Sequence, residues 1–372
     1  MYEKYFGLAT NPFSMTPDPA MLFMTPTHRE ALAGLAYAIL ERKGFVALTG
    51  EAGTGKTSLL ARTLTVLPKT RVASSVILNP SLNQDEFLEM MLLDFGFREV
   101  AASKARRLLA FQEFLLKTQA ANQIAVLVVD EAHKLTPGLL EEIRLLSNLE
   151  FPGTKLLQIV LAGQPELIDV LNRPDLRQLN QRVSVRLSIG LLKPSEISQY
   201  IALRWSKSAS TPPPFADAAY REIALWSRGI PRLVNSICDN ALMLAFAETS
   251  PKVEPVHVGE AGRDLSLADP GGDPVKFKAY YPAPSPAAAS APGSGITSMT
   301  AANRAQLRTG AAGQNPKRPV SAGEDDDFEM RRPALPLRVT SVPRTLNEYS
   351  QQKPSLWQRW VGKRRAVERA AP

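Results

Sequence analysis

The stretch GEAGTGKT, Gly50 to Thr57, sets three glycines, a lysine and a hydroxyl at the spacing G-x-x-x-x-G-K-[ST]. That spacing suits a phosphate cradle. Glycines let the backbone curl so that successive N–H groups aim at one anion, and a helix beginning at Lys56 adds its positive end. The cradle comprises Gly50, Glu51, Ala52, Gly53, Thr54, Gly55, Lys56, Thr57 and Ser58. Lys56 is expected to reach the β- and γ-phosphates of ATP, and Thr57 to ligate Mg2+. Further along, VLVVDEAHKL places Asp130 directly after an apolar run. A lone carboxylate there belongs at the C-terminal edge of a sheet, where α/β ligand sites lie, and is the second expected Mg2+ partner. Glu131 follows and can polarise an attacking water; a solvated carboxylate at a helix start is the alternative. Packing or capping accounts for His133 as well as chemistry does.

These residues need rigid elements behind them. FVALTG, RVASSVIL, QIAVLVVD, KLLQIVLAG and VSVRLSI read as short apolar strands. Helical patterns fall between them, from Thr27, from Lys56 to about Leu67, over about Gln84–Phe95 and Ser103–Ala121, and through GLLEEIRLLSNLE. Strands alternating with helices predict a parallel sheet in an α/β layered domain. After Lys193 the strands stop, and helical patterns near 194–206, 217–228 and 231–247 predict a small all-α domain.

Composition divides the chain again. Residues 1–272 hold 28 basic and 28 acidic side chains, whereas residues 331–372 hold 10 and 2, so the formal net charge of +8 belongs to the tail. The balanced part carries no global nucleic-acid signature. Half of the 30 prolines fall after residue 250, and YYPAPSPAAASAPGSG offers too little apolar surface to offset chain entropy. Residues 266–350 are therefore expected to be disordered. Cys238 is the sole cysteine, which excludes an intramolecular disulfide and fits a reducing compartment. With no signal-like start and no run near ~18 apolar residues, the expected location is cytoplasmic.

NPFSMTPDPAMLFMTPTHREALAGLAYAI, RKGFVALTGEAGTGKT, VVDEAHKL, VLAGQPEL, LNQRVSVRL and GIPRLVNSICDNAL occur in that order over residues 1–250. Together they resemble the ExeA/GspA-type AAA+ ATPases of general secretion systems, whose relatives serve surface-polysaccharide and transposition systems. Composition alone predicts a Pro/Ala-rich, largely disordered linker over 251–353 and a basic amphipathic tail over 354–372, whereas the resemblance implies an AAA+ core over 1–192 and a helical lid over 193–250. It implies that Gln164 is the sensor-1 residue, that Asn79 restrains the catalytic glutamate, and that Arg232 is the sensor-2 arginine reaching from the lid. It also implies a homo-oligomer, ring or filament, in which Arg182, or else Arg177, enters a neighbour's site. Phe13 and residues 17–30 are expected around the adenine, with a core role open for Phe13. Full-length members continue into a membrane span and a cell-wall-binding domain, which are not found here.

GEAGTGKT with DEAH also resembles the first motifs of a DEAH-box helicase. That enzyme needs a second RecA-like domain and a later arginine-glycine motif, and three helices with a Pro-rich tail supply neither. The expected activity is Mg2+-dependent ATP hydrolysis driving assembly or remodelling of a secretion or envelope partner. A DNA-associated transposition-type ATPase is the second reading and leaves nucleic acid open as a partner; a scaffold without turnover is the third. In the tail, Trp357, Trp360 and Val361 can share one helix side beside Arg359, Lys363, Arg364 and Arg365. That pairing suits an anionic membrane surface, hence a peripheral place at the inner face of the membrane, or equally contact with nucleic acid or an acidic protein, or a merely solvated basic tail.

Overall fold

The structure is a computed structural model and describes residues 2–16, 21–68, 70–78, 81–151 and 153–269. FVALTG, IAVLVV and LQIVLAG form strands β1 (Phe45–Gly50), β3 (Ile124–Val129) and β6 (Leu157–Gly163), each buried along its whole length. With β2 (Val72–Ile77) and β7 (Val183–Ile189) they make a five-stranded sheet in the order β2-β3-β6-β1-β7. Every pairing is parallel. The central strands are continuous apolar runs because helices cover both faces. β7 lies at an edge and alternates instead, with Ser184, Arg186 and Ser188 exposed.

Side chains of the central strands alternate between two cores. Phe45, Ala47, Leu127 and Ile159 pack with α4 (Gln84–Asp94), α5 (Lys104–Ala120) and α6 (Pro137–Leu146) through Phe87, Met91, Phe111 and Ile143. Val46, Leu48, Val126 and Val160 face Leu35 and Ile39 of α2 (Pro26–Leu40) and Leu59 and Leu60 of α3 (Lys56–Val66). Each of the Val, Leu, Ile, Phe and Met side chains among them contributes ~1.5–3 kcal/mol on burial, so a one-residue slip of any central strand is heavily penalised. Register at the strand ends is thereby fixed, and the ends carry the site.

Local signals start the helices. Thr25 accepts the His28 N–H ahead of Pro26, Thr136 accepts the Leu139 N–H ahead of Pro137, and Asn83 and Glu86 form a reciprocal capping box. α6 stops at Leu146, short of the Glu150 expected from its pattern. The cause is a hairpin: β4 (Glu150–Phe151) pairs antiparallel with β5 (Thr154–Lys155), and Gly153 supplies φ +76° between them. α7 (Glu166–Leu171) and α8 (Arg177–Asn180) then lead from β6 to β7.

The helical domain holds α9 (Pro194–Trp205), α10 (Asp217–Ser227) and α11 (Pro231–Ala247) where the sequence predicts them. A further helix, α12 (Pro255–Asp264), corrects the expected end of this domain at residue 250. Its periodicity is hard to see because it is built for close approach. A Cβ on Gly262 would meet the Trp226 ring at 2.4 Å, and beside it only Val258 and Ala261 are buried apolar side chains.

A second correction concerns the N-terminal segment. Tyr2 of α1 (Tyr2–Tyr5), Leu8 and Phe13 join the helical domain's core, so residues 2–13 pack with the lid and not with the α/β core. Phe13 meets Phe215 edge-on and takes its core role. The Tyr2 hydroxyl donates to Asp239 of α11, and Asn11 Nδ2 donates to the same carboxylate at 2.9 Å. Asn79, residues 17–20, the linker beyond residue 269 and the tail lie outside the described residues. Among the described residues no helix is long and apolar enough to cross a membrane.

Leu192, between the two domains, donates its N–H to the Gly229 carbonyl at 2.8 Å. Gly229 has φ +77°, and a Cβ there would lie 2.2 Å from the Leu192 oxygen. Gly229→Ala should therefore lower the thermal midpoint, with roughly 1–3 kcal/mol lost to backbone strain alone. Gly96→Ala is the control: φ is +101° but nothing lies within 4 Å, so its loss should be the smaller. Equal midpoints for the two variants would contradict this account of the junction.

Candidate nucleotide site

The sheet is parallel, so β1, β3 and β6 deliver Gly50, Asp130 and Gln164 to the same edge. The loop after β1 turns through Gly53 (φ +81°) and Gly55 (φ +100°), conformations that side-chain-bearing residues rarely adopt. Thr54 closes the turn by donating its N–H and its hydroxyl to the Glu51 carbonyl. α3 begins at Lys56 and directs its unpaired N–H groups at the mouth of the loop. Lys56 is buried and donates to the carbonyls of Gly50 (2.7 Å) and Glu51 (3.0 Å). Burial pulls its pKa down, while Asp130, Glu131 and Glu51 oppose that shift.

Thr57 Oγ1 donates to Asp130 Oδ2 at 2.5 Å, and the Glu131 N–H donates to Asp130 Oδ1 at 2.9 Å. Burial pushes the Asp130 carboxyl above its ordinary range, against both hydrogen bonds. A hydroxyl and a carboxylate in contact at the sheet edge are hard oxygen donors. Mg2+ takes one or two such protein ligands and fills its shell with phosphate oxygens and water, so Thr57 and Asp130 fit it. Glu131 has φ +53°, and its Oε2 lies 3.1 Å from Lys134 Nζ.

Lys56, Thr57, Glu131 and Lys134 line one cavity of about 380 Å3, whose walls come from both domains, and Asp130 stands behind it on Thr57. The phosphate end is formed by Ala52–Ser58 with Glu131 and Gln164. Arg232, at the start of α11, lines the lid side and donates its backbone N–H to the Gly53 carbonyl at 3.3 Å. The arginine side chain packs over Gly53, where a Cβ would meet Arg232 Cβ at 2.6 Å. Gly50 and Glu51 stand behind the cavity and contribute carbonyls to Lys56. Arg182 is not brought to this cavity: its Nη1 donates to Ser147 Oγ at 2.5 Å, at the C-terminal end of α6. Arg177 is exposed on α8.

Two lining residues, Arg204 and Tyr200, went unnoticed in the sequence, while a third, His28, belongs to the 17–30 segment expected around the adenine. Arg204 is buried, and its guanidinium donates to the carbonyls of Pro12 (2.7 Å) and Ser14 (3.0 Å). Tyr200, one turn earlier on α9, donates to Asn235 Oδ1 at 2.8 Å and meets Phe23 edge-on. The available signal was a Tyr–Arg pair at i, i+4 among the buried isoleucines of α9. His28 Nε2 donates to the Thr54 carbonyl at 3.0 Å, while its Nδ1 faces Thr25 Oγ1 at 2.6 Å. Burial lowers the His28 pKa, which keeps the ring neutral in this role.

Residues 39–171 match the AAA domain family. Over 269 residues the chain is 42% identical to general secretion pathway protein A of Aeromonas hydrophila, an alignment covering 72% of this chain and 48% of that protein. This chain is an AAA+ protein. It is related to general secretion pathway protein A and spans about half that relative's length. In fold it is similar to the ORC2 protein of Aeropyrum pernix, with a TM-score of 0.53, 16% identity and coverage of 73% and 75% of the two chains. Cdc6p from Pyrobaculum aerophilum gives a TM-score of 0.54 at 18% identity, covering 69% and 72%. The expected AAA+ fold, a parallel-sheet core with a helical lid, is what the structure has.

Arg204 holds two carbonyls of the segment that leads into the cavity wall, so losing it should loosen that wall. Arg204→Ala should weaken nucleotide binding about 10-fold or more, since hydrogen bonds to a charged group contribute ~1.5–3 kcal/mol. Arg204→Lys should restore little, because an ammonium lacks the planar fork that spans both oxygens. Titration with a fluorescent ATP analogue reads the affinity, and amide exchange over residues 12–16 reads the loosening. Unchanged affinity in both variants would remove Arg204 from the site.

Proposed function

We propose that this AAA+ protein binds and hydrolyses ATP with Mg2+ to assemble or remodel a partner complex of a secretion or cell-envelope polysaccharide export system. The observation that carries the ATPase reading is the convergence of Lys56, Thr57, Asp130, Glu131, Gln164 and Arg232 on one cavity shared by core and lid. In this reading the loop amides and Lys56 hold the β- and γ-phosphates. Thr57 and Asp130 would hold Mg2+, which would supply positive charge against the charge developing on the phosphate. Glu131 orients and polarises the attacking water, Gln164 contacts the γ-phosphate, and Arg232 brings the lid onto the phosphates. Such a site works by positioning and by fixed charge.

Kinship with general secretion pathway protein A supports the secretion side of the proposal. The transposition-type alternative, with DNA as partner, receives no support from charge, since residues 1–272 are balanced. Salt-sensitive binding of DNA by that part would favour it.

Lys56→Ala should abolish nucleotide binding, whereas Glu131→Gln should bind ATP and not turn it over. Nucleotide titration and steady-state phosphate release test both, and near-normal turnover by Glu131→Gln would take that residue out of the reaction.

Arg182 lies away from the cavity of its own subunit, which suits a role in a neighbour's site within a homo-oligomer. Arg182→Ala should then bind ATP but hydrolyse it poorly, since an inserted arginine supplies about 10³–10⁵-fold in well-studied phosphoryl transfers. Lys56→Ala subunits, whose Arg182 is intact, should restore hydrolysis when mixed with Arg182→Ala subunits. Failure of the mixture, or full activity in a strictly monomeric sample, would sink the role in trans.

A further inference from the structure

His133 has no part in the reading above, yet its ring is built into the site. It follows Glu131 in the 3-10 turn Ala132–Lys134, and its side chain is only 12% exposed. Nδ1 accepts the backbone N–H of Gln164 at 3.3 Å. In a neutral imidazole that acceptor leaves the proton on Nε2. Nε2 lies 3.2 Å from the Gln164 side-chain amide and 3.8 Å from Glu131 Oε2. An N–H facing an amide nitrogen is satisfied by turning that amide over, so that its oxygen accepts from Nε2. The fit is close on the far side as well. A Cβ on Gly163 would lie 3.1 Å from the His133 nitrogen and 3.2 Å from Nδ1, so the glycine before Gln164 is what admits the ring.

We propose that His133 is a positioning residue that couples Gln164 to Glu131. It orients the Gln164 amide through Nε2 and the backbone of Gln164 through Nδ1. Its ring also lies 3.8 Å from Glu131 Oε2, the oxygen that Lys134 meets at 3.1 Å, and so limits by contact where that carboxylate can sit. The contact of Gln164 with the γ-phosphate and the aim of Glu131 at water thereby become one geometric event. The inference rests on the proposed ATPase function, because it assigns His133 a place between two residues of that reaction.

The test uses the full chain and four variants: His133→Ala, His133→Gln, His133→Phe and Gly163→Ala. Hydrolysis, the affinities for ATP and ADP, and the thermal midpoint are measured for each. His133→Ala should lower kcat about 10–100-fold, the scale of a misplaced reacting group, with KM for ATP changed less than about 3-fold and the midpoint retained. It should also narrow the preference for ATP over ADP. His133→Gln keeps an N–H donor and should recover much of the loss. His133→Phe keeps the ring's bulk without its nitrogens and should not, and Gly163→Ala, by crowding the ring, should resemble His133→Ala. Wild-type kcat in His133→Ala overturns the proposal, as does recovery by Phe equal to that by Gln. A wild type that binds ATP without hydrolysing it would defeat the ATPase reading alone. The coupling would then stand or fall on the ATP-over-ADP preference, and an unchanged preference in His133→Ala would defeat it.

Discussion

One buried carboxylate governs the edge of the sheet. Asp130 ends β3 out of water, and burying a carboxylate is costly unless hydrogen bonds hold it. Two donors do so, the Thr57 hydroxyl and the Glu131 N–H. The first bond reaches across the sheet, because β6 lies between β1, which leads to Thr57, and β3. The second bends the chain as it leaves β3. Glu131 enters the left-handed region to turn its N–H back onto Asp130, and the turn Ala132–Lys134 follows at once. The phosphate loop, the acidic pair and the strained backbone of Glu131 are therefore one structural solution.

Around that carboxylate the cavity gathers cations. Lys56, Lys134, Arg204 and Arg232 line it, against Glu131 and the Asp130 carboxylate behind. A polyphosphate is the ligand class that such an excess suits. Lys56 needs little rearrangement to meet it. Its ammonium is already held across the loop by two carbonyls, and phosphate oxygens compete for the same donors from the open side. Arg204 does different work: it is spent on backbone carbonyls, so its charge serves to shape the wall as much as to attract.

The sequence revealed most of what depends on local pattern. All five sheet strands and three lid helices announce themselves through period and punctuation, and the phosphate loop through its glycine spacing. What escaped depends on tertiary fit. α12 hides because Gly262 and Ala261 serve close packing and add little hydropathy. Nor does composition say that residues 2–13 belong to the lid; that follows from where Tyr2, Leu8 and Phe13 find a surface. Arg204 and Tyr200 looked like ordinary helix residues, since nothing local shows that an arginine bonds to carbonyls nearly two hundred positions earlier. Arg182 was legible as a candidate, but its contact with Ser147 could not be drawn from a linear motif.

The division of the cavity walls has a mechanical consequence. Ser14, Met15 and Thr16 follow a segment that packs with the lid, and Arg204 fastens that segment to α9. Leu22 and Met24, a few residues on, pack against the sheet-side core. The phosphate loop belongs to β1 and α3, which are rigid with the sheet. A ligand that fills the cavity thus touches one wall tied to the lid and another tied to the sheet. Direct bonds among the described residues there include Arg232 N–H to Gly53 and Leu192 N–H to Gly229. Filling the cavity adds contacts to both bodies at once, so occupancy resists rotation about the Leu192–Gly229 junction. In the proposed reaction, loss of the γ-phosphate would remove contacts chiefly at the end of the cavity lined by Gln164, Glu131, Arg232 and the loop. Under the proposed function the lid is therefore the element whose orientation a phosphate would set, and the part of this fold that would report the state of the site to another molecule.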